Sequence, residues 1–363
     1  MIHKILFVSR FMKGGGAERV ISVLTGELVE QGYGIGLMSY VVTDEDYDID
    51  KRVKKYSMGD TYSENSGNAI SRTLYRINRL KQVISEYKPD IIIPFLEPIV
   101  REVYVAVGNG NIPIVATVRN LPVYNSIFQK KLYHYIYEHC SMVFFQTKSQ
   151  QRYFSQKVVE RSFVLPNPVD IRFVNSGEKR NKSKKIINIV TAGRLSEQKN
   201  HKILLDAMML VHKSHPECYL KIYGEGNKRT ELESYVSERH ANSFIQIMQR
   251  SNNLVDVYKN SDLFVLSSNY EGMPNALMEA MASGIPCIST DCPTGPKELL
   301  GKNIRGLLVS MNDVVSLSEA IIRMVENPER AYQYALCAHN YIKGNFTPEK
   351  IAVQLIKCCE NMI

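Results

Sequence analysis

The most informative stretch of the sequence is LFVLSSNYEGMPNALMEAMASGIPCIST, residues 263–290. It opens with a short apolar run of strand length, and Pro274 then stands where helices accept proline, in the first turn. The helical pattern continues to about Ser283, Gly284 ends it, and Pro286 leads into another strand-like run. This succession of strand, loop, helix and strand is the repeating unit of a parallel α/β sheet.

The same alternation occupies most of the chain on either side of that stretch. The N-terminal side predicts strands at Lys4–Val8, Ile35–Val42, Asp90–Phe95, Pro113–Val118, Met142–Gln146 and Phe163–Leu165, and helices at Ala17–Glu30, Ile70–Tyr87, Glu97–Val107 and Ser126–Glu138. The C-terminal side predicts strands at Ile186–Ala192, Tyr219–Tyr223, Phe244–Met248, Asp262–Ser267 and Pro286–Ser289, and helices at His201–Lys213, Lys228–Arg239, Leu254–Lys259 and Pro274–Ser283. From Leu317 onward the pattern is helical. We therefore predict an α/β protein made of two doubly wound, Rossmann-like parts.

The length of 363 residues also predicts two domains, because a single hydrophobic core stops growing at roughly 250–300 residues. The alternation breaks at Pro166-Asn167-Pro168, and the basic segment Glu178–Lys185 has almost nothing to bury, which is typical of a linker or exposed loop. We predict domains over residues 1–168 and 169–345 and a final helix over 346–363. In doubly wound sheets, ligands bind at the carboxyl ends of the strands.

The composition limits the class of protein. The 44% apolar residues exclude a disordered chain, and no apolar run approaches the ~20 residues of a membrane span. With no leader pattern before the first strand, a cytoplasmic location is expected. The net charge of +8 suggests an anionic partner without choosing between nucleotide, nucleic acid and membrane. The seven cysteines match no zinc spacing, which indicates buried, reduced thiols.

Two carboxylates stand close to the helix start in the opening stretch, Glu271 before it and Glu279 in its second turn. The first backbone amides of the helix, at Asn275, Ala276 and Leu277, would face an anionic ligand group with the helix dipole behind them. Acidic side chains beside an anion suit the hydroxyl groups of sugars. Either carboxylate could instead be a solvated surface acid, although the apolar neighbours of Glu279 weaken that interpretation.

Other loops follow predicted strands of the second domain and so lie at the same edge of the sheet. Arg194 and Lys199, after the first of these strands, are the residue types that bind phosphate as a planar fork and as a point charge. Tyr223-Gly224-Glu225-Gly226 and the segment from Gly295 to Glu298 are weaker turn signals.

The N-terminal loop Gly14-Gly15-Gly16-Ala17-Glu18 also follows a strand and opens a helix. Its glycines allow close backbone approach to a ligand. It is not the dinucleotide fingerprint, because Arg19 occupies the position of the third glycine or alanine, and it lacks the Gly-Lys-Ser/Thr of a P-loop. A tight turn without ligand remains the alternative.

Taken in order and spacing, these motifs resemble those of the retaining glycosyltransferases of family 4, which have the GT-B fold. The features that carry the resemblance are Gly15-Gly16-Ala17-Glu18, Gly193-Arg194 with Lys199-Asn200, Tyr223-Gly224-Glu225-Gly226, Glu271-x7-Glu279 and Gly295-x2-Glu298. The resemblance covers nearly the whole chain. It implies that an acceptor-binding domain and a nucleotide-sugar-binding domain face each other across a cleft, and that the final helix crosses back to the first domain.

The resemblance also implies roles for single residues. Arg194 and Lys199 would hold the donor's diphosphate, Glu279 the ribose and Glu271 the transferred sugar. The other donor-binding positions would be Gly15, Gly16, Gly193, Gly224, Gly272, Met273, Pro274, Asn275, Ala276, Gly295 and Glu298. The catalytic set would be Glu271, Arg194, Lys199 and Arg119, although many relatives have a histidine where Arg119 stands. The expected strand that ends at Met248 is followed by Gln249-Arg250 where a glycine is usual, so the site for the base is not assigned.

No metal or other cofactor is expected. The acidic pairs in Asp44-Glu45-Asp46 and Asp46-Tyr47-Asp48 could mimic the Asp-x-Asp of metal-dependent transferases, but a solvated acidic loop is the preferred interpretation. The histidines are expected to be solvated or capping, with His201 on the solvent side of its helix.

We therefore expect a retaining transferase that moves a hexose or N-acetylhexosamine from a nucleotide-diphosphate sugar, UDP being favoured, to a saccharide acceptor in bacterial surface polysaccharide synthesis. The acceptor would be lipid-linked or free. Two alternatives stay open: a non-catalytic sugar-nucleotide-binding subunit, and a sugar-nucleotide epimerase of the same fold.

Two basic segments raise the question of a membrane. Ser71–Lys81 forms a basic amphipathic helix with apolar Leu74, Ile77 and Leu80, and Tyr124–Tyr137 adds lysines among aromatic residues. Such helices either rest on an anionic membrane surface or simply face the domain core. A nucleic-acid partner is not expected, because no reading module is present.

Overall fold

The computed structural model describes residues 2–43, 46–59, 68–108, 110–120, 126–178 and 185–362. The chain divides into two compact units. The first comprises Met1–Pro168 together with Pro348–Ile363, and the second comprises Val169–Thr347. Each unit is built on parallel strands with helices between them, as predicted.

The described residues of the first unit form seven strands: β1 (Lys4–Ser9), β2 (Gly34–Ser39), β3 (Lys54–Ser57), β4 (Ile91–Pro94), β5 (Val115–Val118), β6 (Met142–Phe145) and β7 (Ser162–Val164). They pair in the orders β3-β2-β1-β4 and β5-β6-β7, and a parallel bridge between Ile92 and Ile114 connects the two groups. The strands β1 and β4 are neighbours although two strands separate them in sequence, so the order reverses between them. This is the topological switch point at which doubly wound sheets bind ligands.

Seven helices surround these strands among the described residues: α1 (Gly16–Glu30), α2 (Ala69–Tyr87), α3 (Glu97–Val107), α4 (Ile127–His139), α5 (Lys148–Gln151), α6 (Gln156–Glu160) and the final helix α15 (Pro348–Glu360). Helix α15 packs on α1, and the side-chain amide of Gln354 donates to the carbonyl of Val164 at 3.1 Å. The last helix of the chain is therefore part of the first unit.

The second unit has a six-stranded parallel sheet within its described residues, in the order β10-β9-β8-β11-β12-β13. The strands are β8 (Asn188–Ala192), β9 (Tyr219–Tyr223), β10 (Ile245–Met248), β11 (Leu263–Leu266), β12 (Cys287–Thr290) and β13 (Leu307–Val309). The helices are α7 (Ile171–Gly177), α8 (His201–Ser214), α9 (Arg229–Glu238), α10 (Leu254–Lys259), α11 (Asn275–Ala282), α12 (Pro296–Leu300), α13 (Val314–Glu326) and α14 (Pro328–Asn345). Here the switch point lies between β8 and β11.

Apolar burial on both faces of the sheets supplies the core of each unit. Residues 5–8 of β1 and 263–266 of β11 are continuous apolar runs, and their side chains are almost fully buried. Strands of parallel sheets show such runs because helices cover both faces.

An aspartate fixes the register at each switch point. Asp90, just before β4, accepts hydrogen bonds from the backbone N–H groups of His3 and Lys4 at 2.7 and 2.8 Å. Asp262, just before β11, accepts from those of Ile187 and Asn188 at 3.1 and 2.9 Å. Each carboxylate thus satisfies backbone donors at the start of the neighbouring strand, so the opposite, carboxyl ends of both strand pairs are held level.

Every predicted strand and helix has a counterpart in the described structure, and the helical end of the chain is confirmed. The prediction was wrong at some boundaries: β2 ends at Ser39 rather than Val42, and α11 begins at Asn275 with Pro274 as its N-cap. The sequence analysis missed six short elements, β3, β13, α5, α6, α7 and α12, which are too brief to show a period.

Gly177 provides a test of the packing in the second unit. An added Cβ there would overlap the carbonyl oxygen of Ala282 in α11 and the imidazole of His339 in α14. We predict that Gly177→Ala lowers the free energy of unfolding by about 1–3 kcal/mol in urea titrations, the cost of overpacking. Gly344→Ala is the control, because beyond the neighbouring residues and backbone of its own helix no described atom lies within 4 Å of the added Cβ, and it should change stability by no more than about 1 kcal/mol. Equal stability of the two variants would contradict this packing.

Candidate functional site

The candidate site of the second unit lies at its switch point, in the loops that follow β8 and β11. Lys199 ends a short 3-10 turn (Glu197–Lys199), and Glu271 stands between β11 and α11. The ammonium nitrogen of Lys199 lies 2.6 Å from Oε1 of Glu271, and the two side chains are only 15% and 7% exposed. The structure therefore joins two predicted site residues in one nearly buried ion pair.

The carboxylate of Glu271 has a second donor close by. The hydroxyl of Ser268 donates to the same oxygen, Oε1, at 2.6 Å, and the hydroxyl of Thr294 donates to the backbone carbonyl of Glu271. Thr294 belongs to the loop after β12, so three loops converge on this residue. Removing charges from water costs several kcal/mol per ion, and such close hydrogen-bonded partners are what make a buried pair tolerable.

Asn200, immediately after Lys199, connects these loops. Its backbone is left-handed (φ 42°, ψ 50°), a conformation that asparagine tolerates better than most residues. Its side-chain amide donates to the Oδ1 atoms of Asn269 at 3.0 Å and Asn312 at 3.1 Å. Asn269 and Asn312 come from the loops after β11 and β13, so one amide connects three strand ends.

Two more contacts fix the backbone around the ion pair. The side chain of Asn269 donates to the carbonyl of Glu197 at 2.9 Å, and the hydroxyl of Ser267 donates to the carbonyl of Lys199 at the same distance. The sequence analysis did not find Asn269 or Ser267. Their signal was their position beside Glu271 in the opening stretch, but their partners lie about seventy residues away and are not visible in the sequence.

At two of the predicted positions, neighbouring loops come so close that only glycine fits. A Cβ on Gly224 would overlap the carbonyl of Gly193, so the loop after β9 touches the loop after β8. Gly295 has φ +91°, and a Cβ there would lie 2.6 Å from both the Gly272 carbonyl and Pro274. Both glycines let neighbouring loops pack directly around the candidate site.

The remaining predicted residues of the second unit differ in accessibility. Glu279, Gly272, Met273 and Pro274 are buried, whereas Asn275, Ala276 and Glu298 are half-buried. Arg194 is exposed, and it makes no hydrogen bond or ion pair with the described part of the chain. Its guanidinium is therefore available to an anion from solvent.

Arg229 is a further residue that the sequence analysis missed. Its guanidinium donates to the carbonyls of Gly224 at 2.6 Å and Met248 at 2.9 Å, which ties the ends of β9 and β10 together. The expectation for His201 was wrong. Its side chain is buried rather than on the solvent side, and burial, with a smaller contribution from Lys199, lowers its pKa to about 3.

The N-terminal glycine loop of the first unit is in contact with a carboxylate. Helix α1 begins at Gly16, with Gly15 as its N-cap. The carboxyl group of Glu18, which is buried, lies where a Cβ of Gly15 would stand. The predicted turn is present, and the structure places an acidic group of the chain itself against it.

Arg119, a predicted catalytic residue, follows β5, and side chains from two neighbouring strand ends hold it. Its Nη2 donates to Oδ1 of Asn167 at 2.7 Å, and the side-chain amide of Gln146 donates to the same oxygen at 2.8 Å. Its guanidinium lies 4.8 Å from the centre of the Phe95 ring. Burial lowers the pKa of Arg119 to about 9, and the nearby charge of Glu18 opposes this effect. At neutral pH it remains a fixed cation.

The acidic pairs considered as metal ligands lie only partly in the described structure. Asp44 and Glu45 are outside the described residues, and Oδ1 of Asp46 accepts a hydrogen bond from Thr43 at 2.8 Å. Over the described ranges, no group of three or more His, Cys, Asp or Glu side chains is arranged to hold a metal ion. In the same residues no helix has both the length and the apolar character to span a membrane.

The loop contacts of Asn269 give a direct prediction. Asn269→Ala removes two side-chain hydrogen bonds and should lower the free energy of unfolding by about 1–3 kcal/mol in urea titrations, at roughly 1 kcal/mol per bond. Backbone amides of residues 197–200 should exchange hydrogen faster. Asn252→Ala is the matched control, since Asn252 is exposed and has no recorded partner in the described structure. Unchanged exchange in Asn269→Ala would contradict the proposed connection.

Two family models match consecutive parts of the chain. Residues 14–173 match the model described as Glycosyltransferase Family 4, and residues 174–336 match the model described as Glycosyl transferases group 1. The two matches meet close to the boundary between the compact units. Together they span both candidate regions.

Similar proteins are glycosyltransferases. An uncharacterised glycosyltransferase of Methanocaldococcus jannaschii is 26% identical over 270 residues, which are 66% of this chain and 65% of that protein, so the match spans slightly under two thirds of its length. The Campylobacter jejuni enzyme named GalNAc-alpha-(1->4)-GalNAc-alpha-(1->3)-diNAcBac-PP-undecaprenol alpha-1,4-N-acetyl-D-galactosaminyltransferase is 25% identical over 335 residues, 90% of this chain and 89% of that enzyme.

Among solved structures, the Anabaena protein Alr3699/HepE in complex with UDP superposes with a TM-score of 0.81 at 17% identity, covering 99% of this chain and all of that one. At this identity the likeness concerns the fold. The order of the strands, the position of the loops and the two family matches agree with one another. The chain therefore belongs to the family 4 glycosyltransferases (glycosyl transferases group 1) and has the GT-B fold.

Proposed function

We propose that this enzyme transfers a hexose or N-acetylhexosamine from a UDP-sugar, with retention of configuration, to a saccharide acceptor in the synthesis of a bacterial surface polysaccharide. The observation that carries the proposal is the Lys199–Glu271 ion pair at the switch point of the second unit, with the open guanidinium of Arg194 in the same β8 loop. Cations beside a fixed carboxylate suit a ligand that joins a diphosphate to a sugar.

The donor side uses charges already in place. Arg194 and Lys199 would bind the diphosphate, and the first backbone amides of α11, at Asn275 and Ala276, would add the positive end of a helix. As the bond between the sugar and the phosphate breaks, negative charge grows on the departing nucleoside diphosphate. Preorganised cations stabilise that charge more effectively than water does. This supply of positive charge is why we propose that no metal is needed.

Glu271 would position the transferred sugar, and Glu279 would bind the ribose. The carboxylate of Glu271 is held by Lys199 and Ser268, which suits accurate orientation of sugar hydroxyls better than nucleophilic attack. In the proposed reaction the acceptor oxygen forms a bond to the anomeric carbon, and the bond from that carbon to the phosphate oxygen breaks. The electron pair leaves with the nucleoside diphosphate, and the acceptor proton passes to a phosphate oxygen.

The remaining donor contacts would come from loops that follow strands of the second unit and from the glycine loop of the first. The positions proposed are Gly15, Gly16, Gly193, Gly224, Gly272, Met273, Pro274, Gly295 and Glu298. UDP is favoured as the nucleotide because the Anabaena structure of the same fold is a complex with UDP. The first unit would bind the acceptor, with Arg119 near the reacting sugar.

A lipid-linked acceptor is favoured by the Campylobacter jejuni relative, whose name specifies an undecaprenol diphosphate saccharide. The first unit carries exposed apolar side chains that fit this idea: Ile70 and Leu74 on α2, and Ile127 and Phe128 on α4. Ile77 and Leu80, expected on the same face as Leu74, are instead buried in the core. We propose that the exposed residues, with the neighbouring lysines, rest on the cytoplasmic face of an anionic membrane.

Nucleotide binding tests the proposed function. We predict that UDP and one UDP-sugar raise the thermal midpoint of the purified protein in excess EDTA, since a hundredfold excess over Kd adds about 2.7 kcal/mol to stability. Lys199→Met should lose this shift and should lower the transfer rate by about a hundredfold or more. Anomeric NMR signals of the product should show the configuration of the donor sugar.

Lys213→Met is the matched control, because Lys213 is exposed on α8 and has no recorded partner in the described residues. It should bind nucleotide like the unsubstituted protein. The assignment of the donor site would be contradicted if no nucleoside diphosphate raised the thermal midpoint. It would also be contradicted if Lys199→Met kept the increase.

The membrane surface has its own test. Ile127 and Phe128 are each 76% exposed, so replacing both with serine should weaken binding to phosphatidylglycerol-containing vesicles about tenfold or more, given the free energy of burying such side chains. Val353→Ser, at an exposed apolar position on α15, is the control and should bind normally. Equal flotation of both variants with these vesicles would contradict a membrane contact at α4.

A further inference from the structure

Glu97 is a partly buried carboxyl group at the switch point of the first unit. It follows β4, whose neighbour β1 leads into the glycine loop before α1. Ligands of doubly wound sheets bind at this point. Within the described residues Glu97 makes no hydrogen bond and no ion pair.

The missing partner is notable because a cation stands one turn away. Arg101 is placed four residues along α3, the spacing at which Glu and Arg commonly pair. Its guanidinium instead lies 3.9 Å from Glu102, which is also the partner of Arg76 on α2 at 2.7 Å. Both cations therefore lie near Glu102, and Glu97 has no cationic partner among the residues that the structure describes.

The backbone before Glu97 is unusual too. Leu96 has φ 76° and ψ 144°, a combination that residues with a side chain rarely adopt. Strain of this kind costs of order 1–3 kcal/mol and persists where the surrounding structure enforces it. Here it sets the direction in which the chain enters α3 and thereby the position of Glu97.

Burial has a measurable consequence for this group. The helix start should favour a carboxylate, yet loss of water raises the pKa of Glu97 to about 7. Tyr133 on α4 lies close enough for its pKa, which is raised mainly by burial, to respond to the charges of Arg101, Glu97 and Glu102. An ionised carboxylate that lowers the stability of the fold and has no partner in the described structure is typical of a ligand-binding site.

A second observation points to a ligand at the adjoining strand ends. Gln146, after β6, is 3% exposed, and its Oε1 is buried without a hydrogen-bond partner among the described residues; the same holds for Nε of Arg119. Asn167 joins both side chains through its Oδ1. Unsatisfied buried polar atoms are rare and call for an explanation such as a bound polar group.

We propose that Glu97, together with the group formed by Arg119, Asn167 and Gln146, binds hydroxyl groups of the acceptor saccharide. This inference rests on the proposed function. An ionised carboxylate only accepts hydrogen bonds and a guanidinium only donates them, while the amides do both, so the set matches hydroxyls, which need donors and acceptors alike. Glu97 orients the acceptor, and Asn167 and Gln146 hold Arg119 in place.

The pH dependence of stability follows from the raised pKa. Below the ordinary value of 4.5 Glu97 is protonated in both the folded and unfolded protein and costs nothing. As pH rises from 4.5 through about 7 the unfolded chain loses its proton first, so stability falls, and above 7 the full cost is present. Glu97→Gln should therefore decrease the unfolding equilibrium constant on the order of a hundredfold at pH 8 and hardly alter it at pH 4.

The kinetic test uses decyl-diphosphate-linked GlcNAc and GalNAc as probe acceptors with the UDP-sugar that binds. We expect Glu97→Gln to keep the thermal shift with UDP and to lose at least tenfold in kcat/KM for the acceptor. The unsubstituted enzyme should show a rise in kcat/KM through about pH 7, and the variant should lack it. Glu349→Gln, an exposed first-turn glutamate of α15, is the matched control and should behave like the unsubstituted enzyme in every assay.

The possible outcomes are distinct. If the unsubstituted protein neither binds UDP nor uses either probe, the proposed function fails and this inference falls with it. If it binds UDP but transfers to neither probe, the lipid-linked saccharide acceptor and this inference are both contradicted. If transfer occurs and Glu97→Gln matches the unsubstituted enzyme in kcat/KM and pH profile, the inference alone is overturned. If Glu97→Gln is no more stable than the unsubstituted protein at pH 8, Glu97 has a partner and the inference is overturned.

Discussion

The ion pair between Lys199 and Glu271 is the interaction on which the candidate donor site depends. Both charges are nearly buried, so each would cost several kcal/mol if its partner moved away. The two residues are 72 positions apart in sequence, yet their charged groups must stay within hydrogen-bond distance of each other. The structure meets that demand through the neighbouring strands β8 and β11, the aspartate that aligns them, and the amide contacts of Asn200 and Asn269.

The two units share one arrangement of strands but differ in how a carboxylate at the strand ends is paired. In each, an aspartate just before β4 or β11 accepts hydrogen bonds from backbone amides at the start of its neighbour, β1 or β8. Polar side chains gather at the opposite ends of these strands. In the second unit the carboxylate of Glu271 is paired with a cation, whereas Glu97 has none within the described part of the first unit. We propose that this difference reflects the ligands: a charged diphosphate joined to a sugar in one unit, and neutral saccharide hydroxyls in the other.

The sequence predicted the fold well because glycines and prolines mark the ends of strands and helices. The stretch from Leu263 to Thr290 alone contained a complete strand–helix–strand unit, and the predicted GT-B fold is confirmed. Lys199 and Glu271 could be assigned to one edge of a sheet from their places after strands. Their direct pairing could not, because it depends on β8 and β11 being neighbours, and sequence order does not reveal this.

The residues that escaped prediction are those whose chemistry arises from tertiary contacts. Asn269 looks like an ordinary loop residue until its distant partner Glu197 is known. Glu97 entered the sequence analysis only as the first residue of a predicted helix, and its surroundings became visible in the structure, where the neighbouring cation Arg101 lies 3.9 Å from Glu102. His201 appeared to be a solvated helix residue, but it is buried at the start of α8, two residues after the 3-10 turn that ends at Lys199.

The central claim is that this protein breaks the bond between a sugar and a nucleoside diphosphate with charges fixed on its second unit. The most direct measurement is the release of UDP from UDP-glucose, UDP-galactose and their N-acetylamino counterparts by the purified protein, with and without a saccharide acceptor. The account predicts release from at least one donor, acceleration by acceptor, and loss of both in Glu271→Gln while that variant stays folded. Release no faster than in buffer for all four donors would contradict it.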